Sequence, residues 1–568
     1  MNYSFLSRIR ILSALVFFFA LLLITKLFFV QVVHGSKWSE KADRQYSTPS
    51  ENIFERGTIF FKGKDGGWIG GATTISGFKL AINPKEITDA NTLYEKISSV
   101  VPLDKESFFT KAGKSSDPYE EVANRLLKSD ADKISALKLP GVHIYKEKWR
   151  FYPGDDLAAH ALGFVGFEGD TLSGRTGLER FYNDILSRRS DELYVNFFAE
   201  VFSDISRTLF NGGNQEGDVV TSIDPLVEGA LEKELEGVVE DWNSAAVGGI
   251  IINPKTGSIY AMASTPSYDL NNYSKVKNIS VLSNPLVESV FEFGSSIKAL
   301  TMAAGLDAAV VTALTTYNDK GFLILNGKQI NNFDRKGRGV VSMQEVLNQS
   351  LNTGSVFVMQ NLGREKFRNY MLGYGIGEKT GIDLPAEIPG LSNNLNSSRD
   401  VEYATASFGQ GIAFTPIEAA RAFSVLANGG YLVTPHLATE IDYTEGGKKK
   451  IEYPPGRQII GKEASEKITQ MLVKVVDKAL LDGAVKLEHY SVAAKTGTAQ
   501  MASPYGGYYE DRYLHSFFGY FPAYDPKFLI FLYNVYPKGA EYASHTLTYP
   551  FINLAKFLID YYNIPPDR

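Results

Sequence analysis

The chain has 568 residues, 44% of them hydrophobic and 21% charged, and a formal net charge of -6. This composition is ordinary for globular domains, which excludes wholesale disorder, and the chain contains no basic run that would bind nucleic acid. The absence of cysteine excludes thiol nucleophiles, disulfides and cysteine-ligated metals, and the seven histidines are too widely spaced for a local metal motif, so we expect no metal site.

The first predicted element is an apolar run, ILSALVFFFALLLITKLFFVQVV, at residues 11–33. A helix that rises about 1.5 Å per residue is long enough here to cross a hydrocarbon core of about 30 Å, which favours a membrane anchor over a cleaved signal peptide. Basic residues flank both ends, so the charge bias alone does not set the orientation. We expect residues 1–10 to form a short cytoplasmic tail and the remainder to lie on the other side.

The next region, residues 34–215, alternates short strand-like pieces with polar helical stretches, which predicts a mixed α/β pedestal. The Gly- and Asn-rich stretch FNGGNQEGD, at 210–218, predicts a domain boundary near residue 215. Residues 216–568 have strand patterns at both ends and helices of small residues between them. This order predicts an α+β domain.

The triplet Lys-Thr-Gly occurs three times, at 255–257, 379–381 and 495–497. Turn formers surround the first two copies, so both are predicted to be structural. The third, in VAAKTGTA, has no proline and is predicted to be a strand. Alternation places Thr496 and Thr498 on one face, and the missing side chain of Gly497 would let a ligand approach the backbone.

A Ser-x-x-Lys pattern also occurs three times, beginning at Ser135, Ser274 and Ser295. The first two lie in polar stretches and are predicted to be surface residues. Ser295 follows a glycine and precedes a long run of small apolar residues, so it is predicted at a helix start with Lys298 one turn later on the same face. The alternative is a buried serine that only caps the helix.

A Ser-x-Asn pattern at Ser350 and Asn352 lies between these two motifs, whereas the copies at Ser50 and Ser392 lie in loop-like stretches. A single combination therefore runs in order within one predicted domain: Ser295, Lys298, Ser350, Asn352 and Lys495.

These ordered motifs resemble those of class B penicillin-binding proteins, the monofunctional peptidoglycan DD-transpeptidases. Within this family, we expect the septal, cell-division (FtsI-like) role. The stretches IIINPKTGSIYAMASTPSYDLNNY and SFGQGIAFTPIEAARAFSVLANGGYLVTPH resemble that family's catalytic domain, and ERGTIF and GRTGLERFYNDIL resemble its pedestal. Three departures concern local geometry: Phe293 stands where proline is usual, Gln349 where a second serine is common, and FFKGKDGG where Asp-Arg-Asn-Gly is usual. None of them removes a reactive group.

The resemblance implies a transmembrane helix at 11–33, a pedestal or dimerisation-type domain at 34–215, and a transpeptidase domain at 216–568. It implies that the last of these has a central antiparallel β-sheet flanked by helices. It also implies a single-pass protein of the bacterial cytoplasmic (inner) membrane with its bulk on the periplasmic side, and no cofactor.

Acyl transfer requires an activated hydroxyl, an oxyanion stabiliser and a grip on the substrate carboxylate. We expect Ser295 to attack the penultimate D-Ala carbonyl with Lys298 as base. The resemblance implies that Ser350 relays the proton and that the oxyanion hole is formed by the backbone N–H groups of Ser295 and Thr498. The implied substrate-binding residues are Asn352, Lys495, Thr496, Gly497 and Thr498.

The implied substrates are peptidoglycan stem peptides ending in D-Ala-D-Ala, and the implied covalent inhibitors are β-lactams. The pedestal resembles no glycan polymerase, so the resemblance implies a separate SEDS-type membrane glycosyltransferase as partner, together with division proteins. Three alternatives stay open: an elongation-type transpeptidase, a DD-carboxypeptidase or β-lactamase, and a non-catalytic β-lactam sensor. Moderate length favours the division type mildly, and the absence of a convincing deacylating base disfavours a hydrolase.

Overall fold

The computed structural model describes residues 17–19, 55–169, 171–188 and 216–568. Within these ranges, no helix combines the length and the apolar character needed to cross a membrane. The predicted anchor at 11–33 lies outside the described residues except for 17–19, which are helical. The predicted boundary near residue 215 adjoins the undescribed residues 189–215 and stays a prediction.

The described chain divides into two compact units. The smaller unit holds residues 75–149, and the larger holds residues 56–74, 150–188 and 216–568. Segments 56–74 and 150–188 of the predicted pedestal therefore pack in the larger unit.

The smaller unit is mixed α/β, as predicted. Its helices are Ala90–Ser98, Lys105–Ala112 and Lys128–Ala136. The end of strand Trp68–Ile82 pairs with strand Glu120–Leu126, and strand Val142–Phe151 also pairs with Trp68–Ile82. The first two helices begin where an aspartate side chain accepts hydrogen bonds from backbone N–H groups of the first turn.

The larger unit is built on a five-stranded antiparallel sheet. Its strands run in the order Ala493–Ala502, Tyr508–Phe521, Phe528–Val535, Ala246–Ile252 and Ile259–Thr265. Two-residue periodicity divides the central strand Phe528–Val535 between two apolar clusters, and all eight of its residues are buried. The expected central antiparallel sheet flanked by helices is confirmed.

Helices cover both faces of this sheet. Pro225–Trp242 packs on one face and Pro416–Ala427 on the other. Each begins with proline in its first turn, preceded by a capping residue, Asp224 or Thr415, whose side chain accepts a backbone hydrogen bond.

Among the described residues of the larger unit, the other α-helices are Ala159–Leu162, Gly177–Phe181, Asn183–Leu186, Pro285–Glu288, Lys298–Asp307, Met343–Asn348, Asn352–Leu362, Arg364–Gly373, Asp400–Ala406, Lys462–Lys474, Ala543–Thr546 and Thr548–Tyr561. Its other strands are Ile59–Lys62, Val165–Glu168, Thr171–Gly174, Gly217–Thr221, Thr316–Asp319, Phe322–Leu325, Lys328–Asn331, Gly339–Ser342, Tyr431–Leu432, Ala438–Tyr443, Gly447–Lys450 and Arg457–Gln458. The beginning of Trp68–Ile82 also pairs here, with Ile59–Lys62.

Candidate active site

Ser295 lies in a short 3-10 turn, Gly294–Ile297, that leads directly into helix Lys298–Asp307. We call residues 293–297, which carry the predicted nucleophile Ser295, the nucleophile turn. Ser295 is half-buried, and within the described chain neither the turn nor the helix has a side-chain cap, so the capping alternative gains no support. The backbone φ of Gly294 is 58°, and a Cβ added there would lie 2.4 Å from the carbonyl oxygen of Thr498. Glycine thus lets the turn lie directly against the K-T-G strand, Ala493–Ala502.

Phe293, which replaces the expected proline, is fully buried. Its ring makes edge contacts with Phe414 and Phe531, at centroid distances of 5.1 and 4.9 Å. Its carbonyl oxygen accepts hydrogen bonds from Ser296 Oγ at 3.0 Å and Ser516 Oγ at 2.8 Å. Aromatic packing and two hydroxyl donors therefore fix the start of the nucleophile turn.

Lys298 is 1% exposed, and its amine contacts Ser350, which lies in the connection between helices Met343–Asn348 and Asn352–Leu362. The Nζ donates to the backbone oxygen of Ser350 at 2.5 Å and to its Oγ at 3.2 Å. Burial, and then the nearby charge of Lys495, hold the pKa of Lys298 well below its usual range. A buried lysine with a lowered pKa is suited to accept a proton as a neutral amine.

Lys495 is the second buried amine of the site, at 3% exposure. Its Nζ donates to Ser350 Oγ at 3.1 Å and to the backbone oxygen of Thr496 at 3.0 Å. Burial lowers the pKa of Lys495 to about 7. An anionic ligand beside this amine would favour its charged form, which suits it to bind a carboxylate.

Ser350 is the meeting point of the two lysines. It connects helix Met343–Asn348 to helix Asn352–Leu362 and has a φ of 53°, in the left-handed region that costs a serine conformational energy. Its hydroxyl lies within 3.2 Å of both amines. A hydroxyl in this position can accept and donate a proton between groups that change charge.

Asn352 and the K-T-G strand form the sides of the site. Asn352 is the first residue of its helix, and its Nδ2 donates to the backbone oxygen of Asn331 at 2.8 Å. Thr496 and Thr498 are partly exposed while Lys495 and Gly497 are buried, which confirms the predicted alternation. Thr498 Oγ1 accepts from the backbone N–H of Ala543 at 3.1 Å, which leaves its hydroxyl hydrogen to donate elsewhere.

Gly497 differs from the sequence-based expectation in what it faces. A Cβ added there would lie 2.2 Å from the carbonyl oxygen of Phe293, 2.3 Å from Ser516 Oγ and 2.8 Å from the backbone nitrogen of Ser296. The space beside Gly497 is therefore occupied by the nucleophile turn, whereas we expected it to admit a ligand. Residue 497 must be glycine because the strand and the turn touch there.

The other two K-T-G copies are turn elements, as predicted. In the first, the Asn253 side chain accepts hydrogen bonds from the backbone of Lys255 and Thr256. In the second, Glu387 accepts hydrogen bonds from Thr380 and from the backbone nitrogen of Gly381.

The other two Ser-x-x-Lys serines, Ser135 and Ser274, are exposed, as predicted. Across the described ranges, no group of carboxylates and histidines could hold a metal ion.

Sequence reasoning missed Ser516, which lies opposite Gly497 in the strand register. It is fully buried, and its Oγ donates to Phe293 and lies 3.2 Å from Ser296 Oγ. The available signal was a hydroxyl residue in the otherwise apolar strand segment SFFGYF.

Two family descriptions match this chain. The penicillin-binding protein transpeptidase domain matches residues 247–553, and the penicillin-binding protein dimerisation domain matches residues 56–199.

Individual proteins extend the match to nearly the whole chain. Stage V sporulation protein D of Bacillus subtilis is 31% identical over 96% of this chain and 84% of its own length. The peptidoglycan D,D-transpeptidase FtsI of Buchnera aphidicola subsp. Schizaphis graminum is 26% identical over 99% of this chain and 96% of its own. The crystal structure of penicillin-binding protein 3 from Mycobacterium tuberculosis in complex with aztreonam shares the fold, with a TM-score of 0.68 at 20% identity, covering 91% of this chain and 98% of that one.

Proposed function

Because the chain belongs to the class B penicillin-binding proteins, we infer that it is a peptidoglycan D,D-transpeptidase, a serine-type acyltransferase that cross-links stem peptides and is inhibited by β-lactams. One observation carries the assignment of its chemistry. Two buried lysine amines, from a helix and from a sheet strand, converge on the hydroxyl of Ser350, and one of them, Lys298, directly follows the turn that bears Ser295.

The first half-reaction forms an acyl-enzyme. Ser295 Oγ attacks the carbonyl carbon of the penultimate D-Ala, and its proton passes to the neutral amine of Lys298. An ester forms between Ser295 and the stem peptide while the D-Ala-D-Ala amide breaks. The leaving amine takes this proton from Lys298 by way of Ser350, and free D-Ala departs.

The second half-reaction transfers the acyl group to an amine on another stem peptide. The new amide forms as the ester breaks, and Ser295 Oγ regains its proton from the attacking amine through Lys298 and Ser350. Lys298 therefore acts as the base in both half-reactions.

We assign substrate binding to the two sides of the site. Charged Lys495, with the hydroxyls of Thr496 and Thr498, holds the terminal carboxylate, and Asn352 binds the peptide amide. The partial exposure of both threonines supports this role. The backbone N–H groups of Ser295 and Thr498 form the oxyanion hole in this proposal, and the close contact of Gly294 with Thr498 supports that pairing.

The proposal extends to the whole chain. Residues 1–10 form a cytoplasmic tail and residues 11–33 an anchor in the bacterial inner membrane. The pedestal, residues 34–215, and the transpeptidase domain, residues 216–568, lie on the periplasmic side. The apolar run at 11–33 supports the anchor. We assign the enzyme to septal synthesis with a SEDS-type glycosyltransferase and division proteins, supported by the likeness to FtsI over 99% of the chain.

Transfer is tested with a pentapeptide stem ending in D-Ala-D-Ala and an amine acceptor. We expect release of one D-Ala per cross-linked product, and loss of both products after preincubation with a penicillin. The Ser295→Ala variant is the negative control and should give neither product. Release of D-Ala with only hydrolysed peptide, at any acceptor concentration, would instead identify a carboxypeptidase.

A further inference from the structure

The loop that carries Ser350 must be held in place from outside. Ser350 has the left-handed φ of 53°, and its hydroxyl has to stay within hydrogen-bond distance of both Lys298 and Lys495. A residue in this conformation persists when its surroundings fix it. The contacts on the two flanks of the loop, at Gln349 and at Thr353, show what does so.

On the Thr353 flank, the support is a buried carboxylate. Asp319 ends strand Thr316–Asp319 and is 2% exposed. Its Oδ1 accepts from Thr353 Oγ1 at 2.8 Å and from the backbone nitrogen of Gly321 at 2.9 Å. Its Oδ2 accepts from the backbone nitrogen of Arg338 at 3.1 Å, and Asn332 Nδ2 donates to both oxygens at 3.0 to 3.1 Å.

Asn332 connects Asp319 to the first turn of helix Asn352–Leu362 through its side-chain hydrogen bonds. It is 1% exposed, and its Oδ1 accepts from the backbone nitrogen of Thr353 at 3.2 Å. The residue before it, Asn331, accepts the side chain of Asn352 at its backbone oxygen. Asp319 thus orients the segment that contacts Asn352 and Thr353.

On the other flank, the support is Arg338. Its backbone is bound to Asp319, and its guanidinium Nε donates to Gln349 Oε1 at 3.1 Å. Asp334 holds the same guanidinium through two hydrogen bonds of 2.7 and 2.8 Å. Gln349, which replaces the expected serine, therefore gives Arg338 a side chain to hold immediately before Ser350.

We propose that Asp319 is a positioning residue for acyl transfer. It holds Ser350 and Asn352 in the positions that the reaction requires, and it does so through its hydrogen bonds to Asn332, Thr353 and Arg338. This inference rests on the proposed function. Only a carboxylate offers acceptors to all four donors, because an amide at this position would turn its own N–H₂ toward at least one of them. The residue touches none of the reacting atoms and acts through the loop.

Asp319→Asn tests this with a β-lactam that reports binding and acylation separately. We expect the acylation rate constant at saturation to fall about ten- to a hundredfold, since a displacement of about 1 Å is that costly to an aligned site. The double variant Asp319→Asn/Asn332→Asp returns a carboxylate to the network, and we expect it to recover part of this loss.

Asp383→Asn is the matched control. Asp383 is also buried, at 3% exposure, and accepts hydrogen bonds from the backbone nitrogens of Leu437 and Ala438 and from Tyr182. We expect it to lower the melting temperature while the folded protein keeps the wild-type acylation rate constant. The comparison separates loss of stability from loss of positioning.

If Asp319→Asn acylates within about twofold of wild type, or if both variants lose acylation in proportion to folded protein only, the positioning role is wrong. If Asp319→Asn does not fold, Arg338→Met decides, with a severalfold slower acylation expected and an unchanged rate contradicting the proposal. A wild-type protein that forms no penicillin adduct would overturn the proposed function itself, which is a separate outcome.

Discussion

Lys298→Met is expected to lower the rate constant for acylation by a penicillin about 10²- to 10⁴-fold, the range for loss of a general base. The substitution keeps the buried volume but removes the amine that contacts Ser350 at both its oxygens. Lys495, the second amine at Ser350, does not take its place, because Lys495 is needed in its charged form for the substrate carboxylate. The measurement is stopped-flow or gel-based labelling with a fluorescent penicillin.

The pH profile gives the same test a second readout. Burial and the charge of Lys495 lower the pKa of Lys298, so its neutral form is present at lower pH than for a free lysine. Wild-type acylation should therefore rise with pH through that lowered pKa, and it should decline at higher pH, where Lys495 loses the charge that holds the carboxylate. The variant should lose the rising limb. Lys277→Met, in an exposed Ser-x-x-Lys copy, is the control and should leave both rate and profile unchanged. Wild-type acylation by the Lys298→Met variant would show that Lys298 is not the general base.

Gly497→Ala is expected to slow acylation about a hundredfold and to destabilise the fold by about 1–3 kcal/mol. The new methyl group would lie 2.2 Å from the carbonyl oxygen of Phe293 and 2.8 Å from the backbone nitrogen of Ser296. Both atoms belong to the nucleophile turn, so relief of the overlap moves Ser295 away from the K-T-G strand. The measurements are the acylation rate constant and the free energy of unfolding.

Gly381→Ala, in the second K-T-G copy, separates the two effects. Its φ of 78° makes alanine unfavourable there, but the nearest atom to the added Cβ is Thr434 Cγ2 at 3.9 Å. We expect a stability loss of about 1 kcal/mol and wild-type acylation. Equal slowing by the two substitutions would show that acylation follows stability rather than the contact between strand and turn.

Local patterns in the sequence predicted the local parts of this site. Alternation predicted which face of strand Ala493–Ala502 carries Thr496 and Thr498, and turn formers identified the other two K-T-G copies as structural. Glycine before Ser295 and small residues after it predicted a helix start, and the structure has a 3-10 turn there that leads into the helix. Each of these inferences depends on residues within one element, where periodicity and turn chemistry are informative.

The convergence on Ser350 has no local signal. Lys298 lies 52 residues before it and Lys495 lies 145 residues after it, so their hydrogen bonds depend on how a helix, a connection and a strand pack. The resemblance to known proteins supplied what spacing could not. For the same reason, the space beside Gly497 was assigned to a ligand when it belongs to the nucleophile turn.

Asp319 escaped detection because its importance comes from burial and from partners 13 to 34 residues away. In the sequence it stands in TYNDKG, where aspartate before Lys-Gly is typical of a surface turn.

Segments 56–74 and 150–188 pose a similar difficulty, since chain order alone does not reveal that they pack in the larger unit.

Acylation of Ser295 can be measured by peptide mapping with mass spectrometry after reaction with a penicillin. We expect one adduct per chain, on the peptide that contains Ser295, and an unmodified protein for Ser295→Ala under the same conditions. An adduct on any other residue, or stoichiometric labelling of Ser295→Ala, would contradict it.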